Sequence, residues 1–174
     1  MTTDPSGIRP GDGPDWFEVI VEIPQGSRNK YEIDHETGAP WLDRHLFQAT
    51  VYPAEYGFFP ESLAEDGDPL DALVLLEDPT FPGCHVRARP VAVLEMEDEK
   101  GRDLKVLCVP AGDFRWNRYQ DVDDLPTHLL AEIRHFFDVY KDLEPGKTSL
   151  LGEWTGHADA IAAIEDARRR FATS

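Results

Sequence analysis

Basic residues are scarce in this chain of 174 residues: 17 Lys and Arg stand against 34 Asp and Glu, a formal net charge of −17. A surface of that sign argues against a nucleic-acid backbone or an anionic membrane as partner, since both reward the opposite charge. Cysteine is nearly absent. Cys84 and Cys108 stand alone without C-x-x-C spacing, which speaks against a disulfide framework or a zinc knuckle and reads as buried free thiols in a reducing cytoplasm. Long apolar runs are missing as well; Ala72-Leu73-Val74-Leu75-Leu76 is far short of the ~20 residues a membrane span needs. No basic stretch leads into an apolar one at the N-terminus, so no secretory signal is readable. With 41% apolar residues, what remains is a globular composition, and the length suggests one domain.

Residues 1–15 hold Pro5, Gly7, Pro10, Gly11, Gly13 and Pro14 with almost no large apolar side chain. They are expected to form a flexible tail, with one folded domain over 16–174. From Phe17 the pattern becomes strict alternation, Phe17, Val19, Val21 and Ile23 against Glu18, Ile20 and Glu22, the period of a half-buried strand. Lys30-Tyr31-Glu32-Ile33 reads as a second strand with Lys30 and Glu32 on one face. Further strands are predicted at 73–77, 86–96 and 104–109, between turns bearing Pro and Gly. The last third reads as helical. Leu129, Ile133, Phe136 and Tyr140 form one helical stripe, with Asp124 as N-cap and Pro126 in the first turn. A second helix is predicted over 158–171. Strands first and helices last suggest an α+β domain on an antiparallel, barrel-like sheet.

The most informative segment is Asp66-Gly67-Asp68-Pro69-Leu70-Asp71. Three aspartates around a Gly and a Pro belong on a turn, and carboxylates about 4 Å apart repel by ~4 kcal/mol at an effective dielectric near 20. Such a turn needs a compensating cation or must splay its charges into water. An EF-hand does not fit, because its sixth position would be Asp71 where Gly is required. A second acidic turn, Asp98-Glu99-Lys100-Gly101-Arg102-Asp103, is placed in a hairpin that could face the first, with Asp103 and Lys105 on one face. Lys30, Arg44, Tyr52, Tyr56, Tyr140 and Lys141 supply cations and phenols. Each has a plain structural explanation, but jointly they form the equipment of metal-assisted phosphoryl transfer.

Over roughly residues 16–155 the chain resembles the soluble inorganic pyrophosphatases of family I, bacterial type. The resemblance is carried by the D-x-D-P-x-D pattern at 66–71 and by Val21-Glu22-Ile23-Pro24, Asn29-Lys30-Tyr31-Glu32-Ile33-Asp34, Asp43-Arg44, Tyr52-Pro53-Ala54-Glu55-Tyr56-Gly57, the block from Asp98 to Lys105, and His135-Phe136-Phe137 with Tyr140-Lys141-Asp142-Leu143. The stretch from Trp154 matches only loosely. The resemblance implies a five-stranded OB-like antiparallel β-barrel with two main C-terminal helices. It also implies Mg²⁺-dependent hydrolysis of pyrophosphate to two orthophosphates in the cytoplasm. Several Mg²⁺ ions per site are implied, with Mn²⁺ or Zn²⁺ as substitutes and Ca²⁺ as an inhibitor. By matching position, Asp66, Asp71 and Asp103 would hold the tightest metals, and Asp98, Glu22 and Glu32 further ones. Lys30, Arg44, Tyr140 and Lys141 would bind phosphoryl oxygens with Lys105 nearby, and Tyr56 would contact substrate or nucleophile. Asp68 or Asp103 would be the base that acts on the attacking water. Homohexamers are implied, with the long helix between subunits. There His135 protonation would weaken assembly, unless it is an ordinary hydrogen-bonded histidine. The competing readings are a nucleotide phosphohydrolase and a non-catalytic OB-like binding module.

Overall fold

Alternation at the start of the chain survives into three dimensions. The computed structural model describes residues 16–174, and the expected tail at 1–15 lies outside the described residues. In β1 (Phe17–Ile23) the side chains of Val19, Val21 and Ile23 are fully buried. There follow β2 (Asn29–Ile33), β3 (Pro40–His45), β4 (Glu55–Phe58), β5 (Asp71–Val74), β6 (His85–Asp98), β7 (Gly101–Arg102) and β8 (Lys105–Pro110). Helix α1 (Thr127–Val139), strand β9 (Ser149–Gly156) and helix α2 (His157–Ala172) complete the chain.

Five strands close a ring. β1 pairs with β4, β4 with β5, β5 with β8, β8 with β6, and β6 returns to β1, which is the five-stranded barrel the resemblance implies. One pair departs from the antiparallel expectation: β5 and β8 run parallel, with Asp71 opposite Lys105. Their common neighbour in sequence, the 14-residue β6, runs against β8, so the returning strand takes the direction of β5. The small hairpin β2–β3 stands apart from this sheet.

The C-terminal third is not purely helical. β9 adds to the outer side of β6, with Trp154 opposite Leu94, and its Gly and polar residues hide it from a pattern search. Asp124 does not cap α1. Pro126 stands at that position without a side-chain bond, while Asp124 accepts from the backbone N–H groups of Gln120 and Asp121 at 2.8 and 3.0 Å in a short 3₁₀ turn. Helix α1 buries Ile133, Phe136 and Phe137 against Tyr52, Leu73 and Leu107. Helix α2 buries Ala160, Ile164 and Ala167 in a second cluster with Val93, Val106 and Cys108. The barrel wall thus separates two apolar layers.

Two departures from regular pairing set the direction of acidic side chains. In β1, Val21 pairs with Gly57 and Ile23 with Tyr56, so Glu22 is one residue too many. In the β2–β3 hairpin Lys30 faces Arg44 and Tyr31 faces Leu42, leaving Asp43 as the extra residue. Bulges of this kind re-aim side chains. Glycine is required at 57, where a Cβ would lie 2.0 Å from the Ile20 carbonyl oxygen.

Candidate active site

At one end of the barrel lies a cavity of about 420 Å³. All thirteen residues singled out from the sequence line it: Glu22, Lys30, Glu32, Arg44, Tyr56, Asp66, Asp68, Asp71, Asp98, Asp103, Lys105, Tyr140 and Lys141. They arrive from separate elements. The β1 bulge presents Glu22, whose Oε1 accepts from the Ile33 N–H at 3.1 Å and so ties β1 to β2. Lys30 and Arg44 come from facing positions of the hairpin, and the extra Asp43 bridges them at 3.4 and 3.1 Å. The Asp66 carboxylate accepts from the Asp68 N–H at 3.1 Å, and Gly67 takes a φ of +91°. That Asx-type turn fixes the loop leading into β5.

The floor is built on the parallel pair. Because Asp71 lies opposite Lys105, the ammonium meets Asp71 Oδ2 at 2.5 Å, and it also meets both Asp103 oxygens at 2.8 and 2.9 Å. Nζ donates to Tyr56 Oη at 3.2 Å and sits 5.5 Å above the rings of Tyr56 and Phe137, within cation–π range. Beneath it Tyr52, Tyr56, Phe136, Phe137 and Tyr140 pack ring against ring. Lys141, just past α1, pairs with Asp98 at 3.2 Å, both side chains being largely buried.

Burial dominates the electrostatics. It pushes the Glu22 carboxyl up to about 7, with Asp71 adding to the rise, and pushes Asp71 up to about 6 against the pull of Lys105. Asp66 is raised for the same reason. Burial works against the Lys105 ammonium, yet Asp71, Tyr56 and Asp103 outweigh it and hold the group protonated well above the usual lysine value. The Tyr56 phenol is pushed far up by burial and stays a donor. In each of these carboxyls it is chiefly lost hydration that disfavours the charged form.

Oxygen-only donors of this kind suit a hard divalent cation. Among the described residues no three such groups already meet at metal-holding spacing; Asp71 and Asp103 are drawn onto Lys105, Asp98 onto Lys141 and Glu32 onto Lys30 instead. The cavity is also less acidic than the sequence suggests. Lys100 and Lys147 join its lining, so eight carboxylates face six cations.

Two further residues escaped the sequence reading. Lys147 lines the cavity and pairs with Glu99 at 3.1 Å. Glu144, 8% exposed, takes the Arg44 guanidinium in a forked grip at 3.2 and 3.3 Å. The only local signal was their place beside Pro145-Gly146, just after the long helix.

A closed barrel with a polar cavity, ranging acids against cations around a buried ammonium, is the frame of a hydrolase for a small anionic substrate. The inorganic pyrophosphatase family model matches residues 19–172, well past Trp154, where the sequence motifs run out. Inorganic pyrophosphatases of Streptomyces coelicolor and Leifsonia xyli are 54% and 57% identical over 155 and 149 residues, covering 89% and 86% of this chain and 95% and 91% of theirs. The crystal structure of the Thermus thermophilus inorganic pyrophosphatase superposes with a TM-score of 0.89 at 44% identity, covering 94% of this chain and 95% of that one. The chain belongs to the inorganic pyrophosphatase family.

Proposed function

We propose that the protein hydrolyses inorganic pyrophosphate to two orthophosphates in a Mg²⁺-dependent reaction. The observation that carries this is the gathering of all thirteen residues, from seven separate segments, around one cavity. Asp66, Asp71 and Asp103 would hold the tightest ions, and Asp98, Glu22 and Glu32 further ones. Bound there, Mg²⁺ would neutralise the polyanion and bring the pKa of an attacking water toward neutrality. Mn²⁺ or Zn²⁺ would substitute. Ca²⁺ would bind yet inhibit, since the larger ion tolerates looser, higher coordination.

The side chains do the rest. Lys30, Arg44, Tyr140 and Lys141 bind phosphoryl oxygens, Arg44 with a fork that Glu144 already orients. Lys105 and the Tyr56 phenol act from the floor as fixed donors. Asp68 orients the attacking water and takes its proton. It suits this role better than Asp103, both of whose oxygens are bound to Lys105. The rings of Tyr52 and Tyr56, and of Phe136 and Tyr140, are packed against one another, which favours a structural role for them over base stacking.

Phosphate release from pyrophosphate in Mg²⁺, beside ATP and a no-substrate control, tests the reading. Strong release from pyrophosphate alone is expected. Equal release from ATP favours a nucleotide phosphohydrolase, and none from either favours a binding module. We further propose a cytoplasmic homohexamer of single domains spanning 16–174. Free thiols at Cys84 and Cys108 accord with a reducing compartment. Among the described residues no helix is long and apolar enough to cross a membrane. His135 is exposed on α1, where a subunit contact could meet it, and sedimentation between about pH 5 and 8 tests its part in assembly.

A further inference from the structure

We propose that Lys100, at the turn between β6 and β7, captures the anionic substrate at the mouth of the cavity, releasing Asp68 as it does so. This rests on the pyrophosphatase reading above. Six cations line the cavity, and five are tied to carboxylates at shorter range. Lys105 meets Asp71 and Asp103 at 2.5 and 2.8 Å, Lys30 meets Glu32 at 2.9 Å, Arg44 meets Asp43 at 3.1 Å, Lys147 meets Glu99 at 3.1 Å, and Lys141 meets Asp98 at 3.2 Å. Among the described residues Lys100 forms an ion pair only with Asp68 Oδ2, at 3.5 Å, and the two side chains are 57% and 64% exposed. An ion pair so long and so wet contributes little to stability and is given up at little cost.

The backbone beneath it is fixed. The Lys100 N–H donates to Asp98 Oδ1 at 2.8 Å, and Asp98 pairs with Gly101 across the hairpin. Only the four-carbon side chain swings, from a stationary root, over a mouth that Asp68 borders from the opposite loop. A chain of net charge −17 repels a polyphosphate at a distance, so a mobile cation at the entrance acts on the encounter itself. Its departure also frees Asp68 Oδ2 of that cation contact. One movement therefore couples arrival of substrate to release of the base from its cation.

The experiment measures initial rates of orthophosphate release from pyrophosphate in excess Mg²⁺ at several ionic strengths. It uses wild type, Lys100→Gln, Lys100→Arg and, as a control outside the cavity, Arg118→Gln. Lys100→Gln should lower kcat/KM about three- to ten-fold at low ionic strength with kcat within about two-fold, and the gap should close near 0.5 M salt, where screening reaches within a few ångströms. Lys100→Arg should keep kcat/KM within about two-fold because it keeps the charge, and Arg118→Gln should match wild type at every salt concentration. An unchanged kcat/KM in Lys100→Gln, a loss confined to kcat, or an equal loss in Lys100→Arg overturns the assignment while wild-type turnover leaves the pyrophosphatase reading standing. A wild-type protein that releases no orthophosphate overturns both.

Discussion

Two of the cavity's lysine–aspartate associations differ in almost every respect. On the floor, Lys105 is 1% exposed and touches Asp71, Asp103, Tyr56 and the faces of two rings. On the rim, Lys100 and Asp68 meet once, in water. Burying charge is costly unless every partner is in place, and breaking a buried association is far worse than never having made it. The floor is therefore a fixed framework that dictates where charge sits before any ligand arrives. The rim can rearrange because little is lost when it does.

The sharpest way to break this contrast is Lys105→Met, which leaves Asp71 and Asp103 facing each other without a cation. Urea denaturation should show a loss on the order of 3–5 kcal/mol, and pyrophosphate hydrolysis should disappear with it. Asp68→Asn is the rim counterpart. Turnover should fall ~10²- to 10⁴-fold, while the melting temperature stays within about 2 °C because an exposed charge carries little stability. Survival of activity within a few-fold would remove Asp68 from its role.

Proton linkage separates the two regions next. Glu22 and Asp71, held up to about 7 and about 6, bind protons more tightly folded than unfolded. Their contribution to stability is thus fully present at low pH and is lost as pH rises through those values. Metal-free protein should melt a few degrees higher at about pH 5.5 than at about pH 7.5. Glu22→Gln should flatten that slope, and Mg²⁺ should reverse it by competing with the protons. The smallest effect expected is chemical. The Cys108 thiol is fully buried and its pKa is pushed up by that burial, so it should resist alkylation in the native state while the partly exposed Cys84 reacts. Thiol titration before and after denaturation reads the difference.

Much of the fold and site was legible in the sequence where local pattern and final environment agree. Alternation placed β1, periodicity placed both helices, and a turn crowded with aspartates announced a cation-hungry site. What stayed hidden depends on distance along the chain. Arg44 and Glu144 are 100 residues apart, and no periodicity links them. β3 offers no alternation because nearly all of it is exposed, and β4 is four residues with a glycine in it. Asp124 looked like a helix cap because its residue type suits that place; the structure uses the same chemistry one turn earlier and leaves the cap to proline. The parallel β5–β8 pair follows from strand order around the ring, which no stretch of sequence states. Yet it decides that Asp71 and Lys105 meet.

The extra residue in β1 makes the molecule sensitive to length as well as to chemistry. Excising one position at Glu22 would keep every other side chain, yet the strand's tail would slip by half a pleat and carry Ile23 out of the apolar layer. A one-codon deletion there is harsher than any replacement of the glutamate, because it undoes the alignment that brings the loop after β1, and with it Lys30, toward the cavity.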